Sequence, residues 1–287
     1  MADIRVQSWL ELQRELYHDT WNANIQRFRS DFVYRGMGDV REDLRTGLLK
    51  LGGSVRAMEY HLLRNFKKYA RQDAVQYDSE WNWLALAQHH GLPTRLLDWT
   101  YSPYVALHFA TEDLRLYDRD SVIWCVNYVA LHRLLPKPLL SALQRERSNA
   151  FTVEMLQRVA PSLQKLESLA AEDFALFLEP PSLDSRIVNQ FALFSMMSTP
   201  LGHFDLWLER RHPEAVRRIV LPAALKWEAR DKLDQANITE RVLFPGLDGL
   251  TLWLKRHYTP VGSPSTADVR RPATQQRRKA PSRSRRP

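Results

Sequence analysis

One stretch of the chain, residues 84–110, reads LALAQHHGLPTRLLDWTYSPYVALHFA and decides how the rest of the sequence is interpreted. It begins and ends in apolar runs with helical character, and Gly91 and Pro93 interrupt the polar residues between them. Glycine and proline in these places end helices. Polar groups able to bind anions or transfer protons are thereby held between two apolar segments, as a rigidly supported site requires. The sequence therefore predicts a functional site at this turn.

Four residues of the turn are candidates for that site, and each also has a structural interpretation. Gln88 and His89 end the first apolar run, and His89 could act as a general base or donate to a substrate. It could equally stabilise the C-terminus of a helix. Arg95 and Asp98 are three residues apart and would pair if the turn were helical, either to bind a substrate or to fix the loop. A metal site is disfavoured because no Cys or His cluster accompanies them.

An earlier segment adds a further arginine. Residues 31–36, DFVYRG, combine aromatic and β-branched residues and end in glycine, which predicts a strand with Arg35 at its C-terminal end. A planar guanidinium binds phosphate or carboxylate in a bidentate manner, and the structural alternative is a pair with an internal carboxylate. We expect Arg35, His89, Arg95 and Asp98 to converge on one cleft.

These segments resemble the FRG domain, a family named for an aromatic-Arg-Gly motif. Here that motif is Tyr34-Arg35-Gly36, and it is followed in the family's order by three further blocks. The blocks are QHHGLPTRLLDW from residue 88, SRIVNQFALFS at 185–195 and TERVLFPGLDGL at 239–250. The resemblance spans about residues 30–255. It implies that the first motif, Gln88 and, in the third block, Arg186 and Gln190 contribute to substrate binding.

The aromatic-Arg-Gly segment is also similar to the first motif of ADP-ribosyltransferases of the Arg-Ser-Glu type, in which the arginine holds the phosphate and ribose region of NAD. This second resemblance implies NAD as a substrate and an ADP-ribosyltransferase-like fold. It also implies that Ser198-Thr199 supports the nicotinamide pocket, although a turn before Pro200 is the simpler interpretation. Glu240 would be the catalytic carboxylate, just before an apolar strand, and His89 is the other candidate catalytic residue.

Two other classes of function stay open. One is a non-catalytic module that binds a nucleotide-like or other phosphorylated small molecule. The other is a hydrolase or nuclease that uses His89 with Asp98. For the ADP-ribosyltransferase-like enzyme and for the binding module, phage defence or a toxin-like role is the expected context.

Composition narrows the class of protein. The 287 residues are 44% hydrophobic and include nine Trp, which is typical of a globular protein. No apolar run reaches the length of a membrane span, and no secretory signal is visible. The single cysteine, Cys125, suits a reducing, cytoplasmic location.

Eight Lys and Arg residues against Asp268 give residues 259–287 nearly all of the net charge of +8. This Pro- and Ser-rich tail is predicted to be disordered and able to contact nucleic acid or an acidic partner.

The pattern of apolar residues predicts an α+β fold. An amphipathic helix within residues 1–24 precedes the main domain, residues 25–258, and the basic tail follows at 259–287. A small mixed sheet is expected from strands near residues 32, 122, 176, 193 and 219, with helical insertions between them. Their spacing is too uneven for regular βαβ units.

Overall fold

The structure is a computed structural model that describes residues 3–70 and 77–260. In chain order its strands are β1 (Asp3–Arg5), β2 (Trp21–Asn22), β3 (Arg27–Phe28), β4 (Phe32–Met37), β5 (Leu97–Thr100), β6 (Ser121–Asn127), β7 (Ala175–Leu178), β8 (Ala192–Met197) and β9 (Val216–Leu221). Its helices are α1 (Trp9–Leu16), α2 (Gly47–Leu51), α3 (Val55–Tyr69), α4 (Glu80–His89), α5 (Pro103–Ala110), α6 (Tyr128–His132), α7 (Lys137–Glu146), α8 (Val153–Val159), α9 (Leu163–Glu167), α10 (Ser185–Asn189), α11 (Phe204–Arg211), α12 (Lys226–Gln235), α13 (Glu240–Leu243) and α14 (Leu247–His257).

A seven-stranded mixed sheet forms the centre of the molecule, in the order β1-β9-β6-β4-β5-β8-β7. The pair β1–β9 is parallel and the other neighbours are antiparallel, while β2 and β3 form a separate hairpin. The predicted α+β class is confirmed, and all five predicted strands belong to this sheet. Two of its strands, β1 and β5, were not predicted. Because β1 pairs with β9, the N-terminal segment is part of the main sheet.

The segment that carries Asp98 is a strand rather than a helical turn. Within β5, Leu97 and Trp99 are buried and Asp98 is exposed, the alternation expected when one face of a strand packs on a core. The strand was missed because it is only four residues long and directly follows the break at Gly91 and Pro93. This difference changes the partner of Arg95.

The two faces of the sheet are covered differently. On one face, a single core is formed by residues from six strands, β4 to β9. It includes Val33, Trp99, Trp124 and Phe177. The other face carries two cores. One, around Tyr34, packs α1, α5 and α12 against β4, β6 and β9. The other, around Phe194, packs α4, α7, α8 and α9 against β7, β8 and Leu96, the residue before β5. The boundary between these two cores falls between β4 and β5.

The sheet opens at that boundary. Strands β4 and β6 are paired along all of β4, and β5 is paired with β8 along all of β5. Between β4 and β5, however, the only paired residues are Tyr34 and Thr100. The remainder of β4, from Arg35 onward, therefore separates from β5 and leaves a gap in the middle of the sheet.

The predicted basic tail lies outside the described residues, apart from Thr259 and Pro260. Across residues 3–70 and 77–260, no helix combines the length and apolar character that crossing a membrane would require.

Candidate functional site

A cleft of about 890 Å³ occupies the gap between β4 and β5. Its volume is within the range of sites that hold small molecules. Its walls come from β4 and the residues that follow it, from β5, from the C-terminal ends of α4 and α5, and from α10. Most of the residues predicted to form a site lie here: Tyr34, Arg35, Gly36, Gln88, His89, Asp98, Arg186 and Gln190. Their placement together agrees with the prediction, and their roles in binding or catalysis remain predictions.

Arg35 reaches across the opening of the sheet. Its Nη1 donates to the backbone carbonyl of Asp98 at 2.5 Å and lies 3.7 Å from the Asp98 carboxylate. Its Nε is buried and has no hydrogen-bond partner among the described residues. A guanidinium carries five N–H donors, so most of the hydrogen-bonding capacity of Arg35 is unused by the described protein groups.

Tyr34 and Gly36, the neighbours of Arg35 on β4, make contacts with other parts of the protein. The side chain of Tyr34 points to the opposite face, where its buried hydroxyl donates to the Leu16 carbonyl. At Gly36, a Cβ atom would lie 1.7 Å from the carbonyl oxygen of Ala106. Helix α5 therefore packs directly on the backbone of β4, and the glycine of the aromatic-Arg-Gly motif is required by that contact.

The turn after α4 is built to hold Gln88 in place. The Leu92 N–H bonds to the Ala87 carbonyl, and the N–H of Gly91, at φ 79°, bonds to the Gln88 carbonyl, the pattern of a Schellman motif. The Gln88 amide then donates to the Asp98 carboxylate at 2.9 Å and accepts from the Thr94 hydroxyl at 2.6 Å. Gln88 thus fixes the Asp98 side chain on the wall of the cleft.

His89 has a partner that the sequence did not indicate. Its Nε2 is 2.8 Å from Asp184 Oδ2, and the other carboxylate oxygen of Asp184 caps α10 by accepting from the backbone N–H groups of Arg186 and Ile187. Burial opposes ionisation of Asp184, but these hydrogen bonds and the one to His89 lower its pKa. His89 therefore connects the end of α4 to the start of α10, and the carboxylate bonded to it is that of Asp184 and not that of Asp98.

The third block of the family resemblance supplies the opposite wall. The Arg186 guanidinium lies over the ring of Phe244 at 5.0 Å, and its positive charge acts on the carboxyl group of Glu112, which also lines the cleft. Gln190 lines the cleft but its amide donates to the Leu243 carbonyl at 3.0 Å. Arg186 is therefore the residue of this block that is free to contact a ligand.

The prediction that Arg95 lines the cleft and pairs with Asp98 is wrong. Its side chain is 2% exposed and forms a two-pronged hydrogen-bonded pair with Glu59, with further bonds to Glu167 and the Ser198 carbonyl. Burial alone would lower the pKa of Arg95, but the bonds to Glu59 and Glu167 outweigh it and raise the pKa. Because residues 97–100 form a strand, Arg95 is not positioned beside Asp98. Its role is structural.

Glu240, predicted as a catalytic carboxylate just before an apolar strand, lies outside the lining of this cleft. Glu240 begins helix α13 rather than preceding a strand, and its carboxylate accepts from Arg256 at 2.6 and 2.8 Å. Burial opposes its ionisation, yet Arg256 and Arg230 lower its pKa to about 2. Ser198 is likewise buried, and its hydroxyl accepts from the Phe174 N–H. Neither residue lines the cleft with Arg35.

Because Glu240 belongs to a buried ion-pair network, Glu240→Gln is expected to lower the free energy of unfolding by roughly 1–3 kcal/mol. The change removes a charge-assisted hydrogen bond while Asp234 still accepts from Arg256. Urea unfolding at neutral pH measures this loss. Unchanged stability together with altered ligand binding would contradict the structural role.

The structure also brings residues to the cleft that sequence reasoning missed. Lys50 and Glu112 line it and each is exposed. Glu112 lies two residues beyond the apolar helix that ends the quoted stretch, where a charged residue has no distinguishing pattern. Only the packing of α5 beside β4 shows that its carboxylate enters the cleft. Among the described residues, His, Cys, Asp and Glu side chains do not gather in groups of three or more as a metal site would need.

Comparison with known families agrees with this assignment of the central segment. The family model of the FRG domain matches residues 30–119, which contain β4, α2 to α5 and β5. This part of the chain is therefore an FRG domain, as the motifs predicted, and it supplies most of the cleft. The third and fourth blocks lie outside the matched residues. No curated protein and no solved structure matches the chain.

Proposed function

We propose that the cleft binds a nucleotide-like, phosphorylated small molecule and that Arg35 binds its phosphate. The observation that carries this proposal is that the Arg35 guanidinium has few hydrogen-bond partners within the described protein. It stands at the opening of the sheet, gives one hydrogen bond to a protein group, and keeps its Nε buried without a partner in the described part of the chain. Such a guanidinium gains most from a bidentate oxygen acceptor.

The rest of the cleft suits the other parts of such a ligand. Arg186 provides a second cation held on an aromatic ring, and Lys50 provides a third. Phe109, Leu92 and Ile187 add apolar surface on which a flat ring can pack. Small-molecule sites combine apolar surface with polar groups that fix the orientation of the ligand.

Binding is better supported than either predicted chemistry. The ADP-ribosyltransferase interpretation needs Ser198 and Glu240 beside Arg35, and both lie in other parts of the structure. The hydrolase interpretation needs His89 beside Asp98, but these residues bond to Asp184 and Gln88. NAD remains a ligand of the proposed class. A role in phage defence or as a toxin, and a cytoplasmic location, stay predictions.

The proposal is tested by calorimetric titration with NAD, ADP-ribose and ADP. Arg35→Ala is expected to weaken binding about 10- to 100-fold, because it removes charge-assisted hydrogen bonds to the phosphate. Arg35→Lys is expected to recover part of the affinity, since an ammonium keeps the charge but loses the bidentate geometry.

Arg158→Ala is the matched control, since Arg158 on α8 is 56% exposed and pairs with Glu146 on α7. Its affinity should equal that of wild type. Equal affinity for wild type and Arg35→Ala would contradict the proposal, as would failure of every phosphorylated ligand to bind. Nicotinamide released from NAD by wild type and not by Arg35→Ala would add catalysis to binding.

A further inference from the structure

Four apolar side chains form an exposed row, the α14 stripe, along one side of helix α14. They are Leu247, Leu250, Leu254 and Tyr258, the residue that caps the helix, and their spacings of three and four residues place them on one side of it. Leu247 and Tyr258 are each 77% exposed, while Leu250 and Leu254 are 36% and 38% exposed. Single apolar residues on a surface are ordinary, but a contiguous row of them marks an interaction site.

The opposite side of α14 is fixed to the protein. Arg256 is buried there and pairs with Asp234 and Glu240. At Gly249 a Cβ atom would lie 1.9 Å from the carbonyl oxygen of Phe244, so α14 packs directly on the backbone that ends α13. The helix therefore cannot turn the α14 stripe inward without breaking a buried ion-pair network.

The middle of the α14 stripe is suited to burial. Thr251 lies there between Leu250 and Leu254, and its hydroxyl donates to the Asp248 carbonyl of the same helix at 2.9 Å. The hydroxyl keeps this bond when water is removed, so burial leaves no donor unpaired at this position. Removal of the leucine side chains from water is favourable. The surface that covers the stripe is therefore expected to be apolar at its centre.

Two residues of opposite charge lie along one flank of the α14 stripe. Asp248 and Lys255 are seven residues apart, which places them one above the other on a helix. Both are exposed, and neither side chain has a hydrogen-bond or ion-pair partner among the described residues. When two copies of a helix pair antiparallel about a twofold axis, the same flank of each copy meets, so that residue i faces j and j faces i. Asp248 of each copy would then face Lys255 of the other.

We propose that the α14 stripe is covered by α14 of a second copy of this chain, in an antiparallel pair related by a twofold axis. The surface is self-complementary, because it joins an apolar row to opposite charges on matched flanks. The proposal does not depend on what the cleft binds. One helix face is small beside the interfaces of tight complexes, so the dimer is expected to form at micromolar concentrations and to dissociate on dilution.

The charge of the following segment favours the same orientation. Residues 259–287 hold eight Lys and Arg residues and begin directly after α14. In an antiparallel pair the two segments begin at opposite ends of the helices, about 16 Å apart for 11 residues. That separation exceeds the screening length of about 8 Å at physiological salt. A parallel pair would bring the two like-charged segments together at one end.

The first test is sedimentation equilibrium of the full chain from a few micromolar to several hundred micromolar. Wild type is expected to change from monomer to dimer over this range. Leu254→Glu should raise the dissociation constant of the dimer at least about 10-fold, because a carboxylate would lose water against apolar side chains. Leu252→Glu is the matched control. Leu252 is 53% exposed on the same helix but lies off the α14 stripe, so this variant should associate as wild type does.

The second test reverses the charges on the flank. Asp248→Lys alone sets Lys against Lys, and Lys255→Asp alone sets Asp against Asp, so each single change should weaken the dimer several-fold. The double variant restores opposite charges and should associate as wild type does. Because both residues are exposed, the melting temperatures of the monomers should not differ.

Three results would overturn the proposal. Wild type could stay monomeric over the whole concentration range, or Leu254→Glu could associate as strongly as Leu252→Glu. Equal association of the single and double charge variants would exclude the antiparallel pair. If monomeric wild type, and not Leu254→Glu, binds vesicles of phosphatidylcholine and phosphatidylserine, the α14 stripe covers a membrane surface and not a second copy.

Discussion

Replacing Arg95 with alanine is expected to lower the free energy of unfolding by roughly 3–5 kcal/mol, the loss typical of a broken buried ion pair. The change leaves Glu59, which is 8% exposed, without its guanidinium. It also removes the hydrogen bonds that connect the turn after α4 to α9 and to the end of β8. Urea unfolding followed by circular dichroism measures the loss.

A neighbouring arginine provides the control for that prediction. Arg56 is 56% exposed and pairs with the same Glu167, so Arg56→Ala should cost less than about 1 kcal/mol, as exposed pairs usually do. Similar small losses for both variants would show that the Arg95 network contributes little to stability. That outcome would reopen a role for Arg95 in ligand binding.

Replacing Gly36 with alanine is expected to be similarly severe, at roughly 3 kcal/mol or more. The new Cβ would lie 1.7 Å from the Ala106 carbonyl oxygen and 2.7 Å from the Ala110 backbone nitrogen. Because both obstacles are backbone atoms of α5, the whole helix has to move away from β4. That movement also displaces Glu112, and thermal unfolding would report the loss of stability.

Gly38, two residues further along, is the matched control. A Cβ there would meet Leu116 Cδ1 at 2.7 Å, but this atom ends a flexible side chain that can turn aside. Gly38→Ala should therefore be much less destabilising than Gly36→Ala. Equal losses would mean that the close contact between α5 and β4 is not what the glycine of the motif is needed for.

Much of the architecture could be read from the sequence because its signals are local. The β-branched run from Val122 to Val126 acts within a few residues, and the strand predicted near residue 122 agrees with the structure. Strand β5 has no such signal. Its four residues form a strand because β8 pairs with all of them, a contact more than ninety residues away in sequence.

The site was harder to predict for the same reason. Residues close to the break at Gly91 reach the cleft because the turn itself places them there, as Gln88 and His89 show. Their partners come from distant segments, so the bonds from His89 to Asp184 and from Arg95 to Glu59 could not be foreseen. Glu240 resembled a catalytic residue in its position along the chain, but Arg256 and Arg230 bind it instead.

The central claim is that a nucleotide-like ligand occupies the opening between β4 and β5. Amide hydrogen exchange with and without saturating ADP-ribose tests its location directly, since a bound ligand slows local opening. Slower exchange is expected at residues 34–38, 88–100 and 186–190, and Arg35→Ala should lose this protection at the same ligand concentration. Protection confined to other segments, or none at a concentration that saturates binding, would contradict the account.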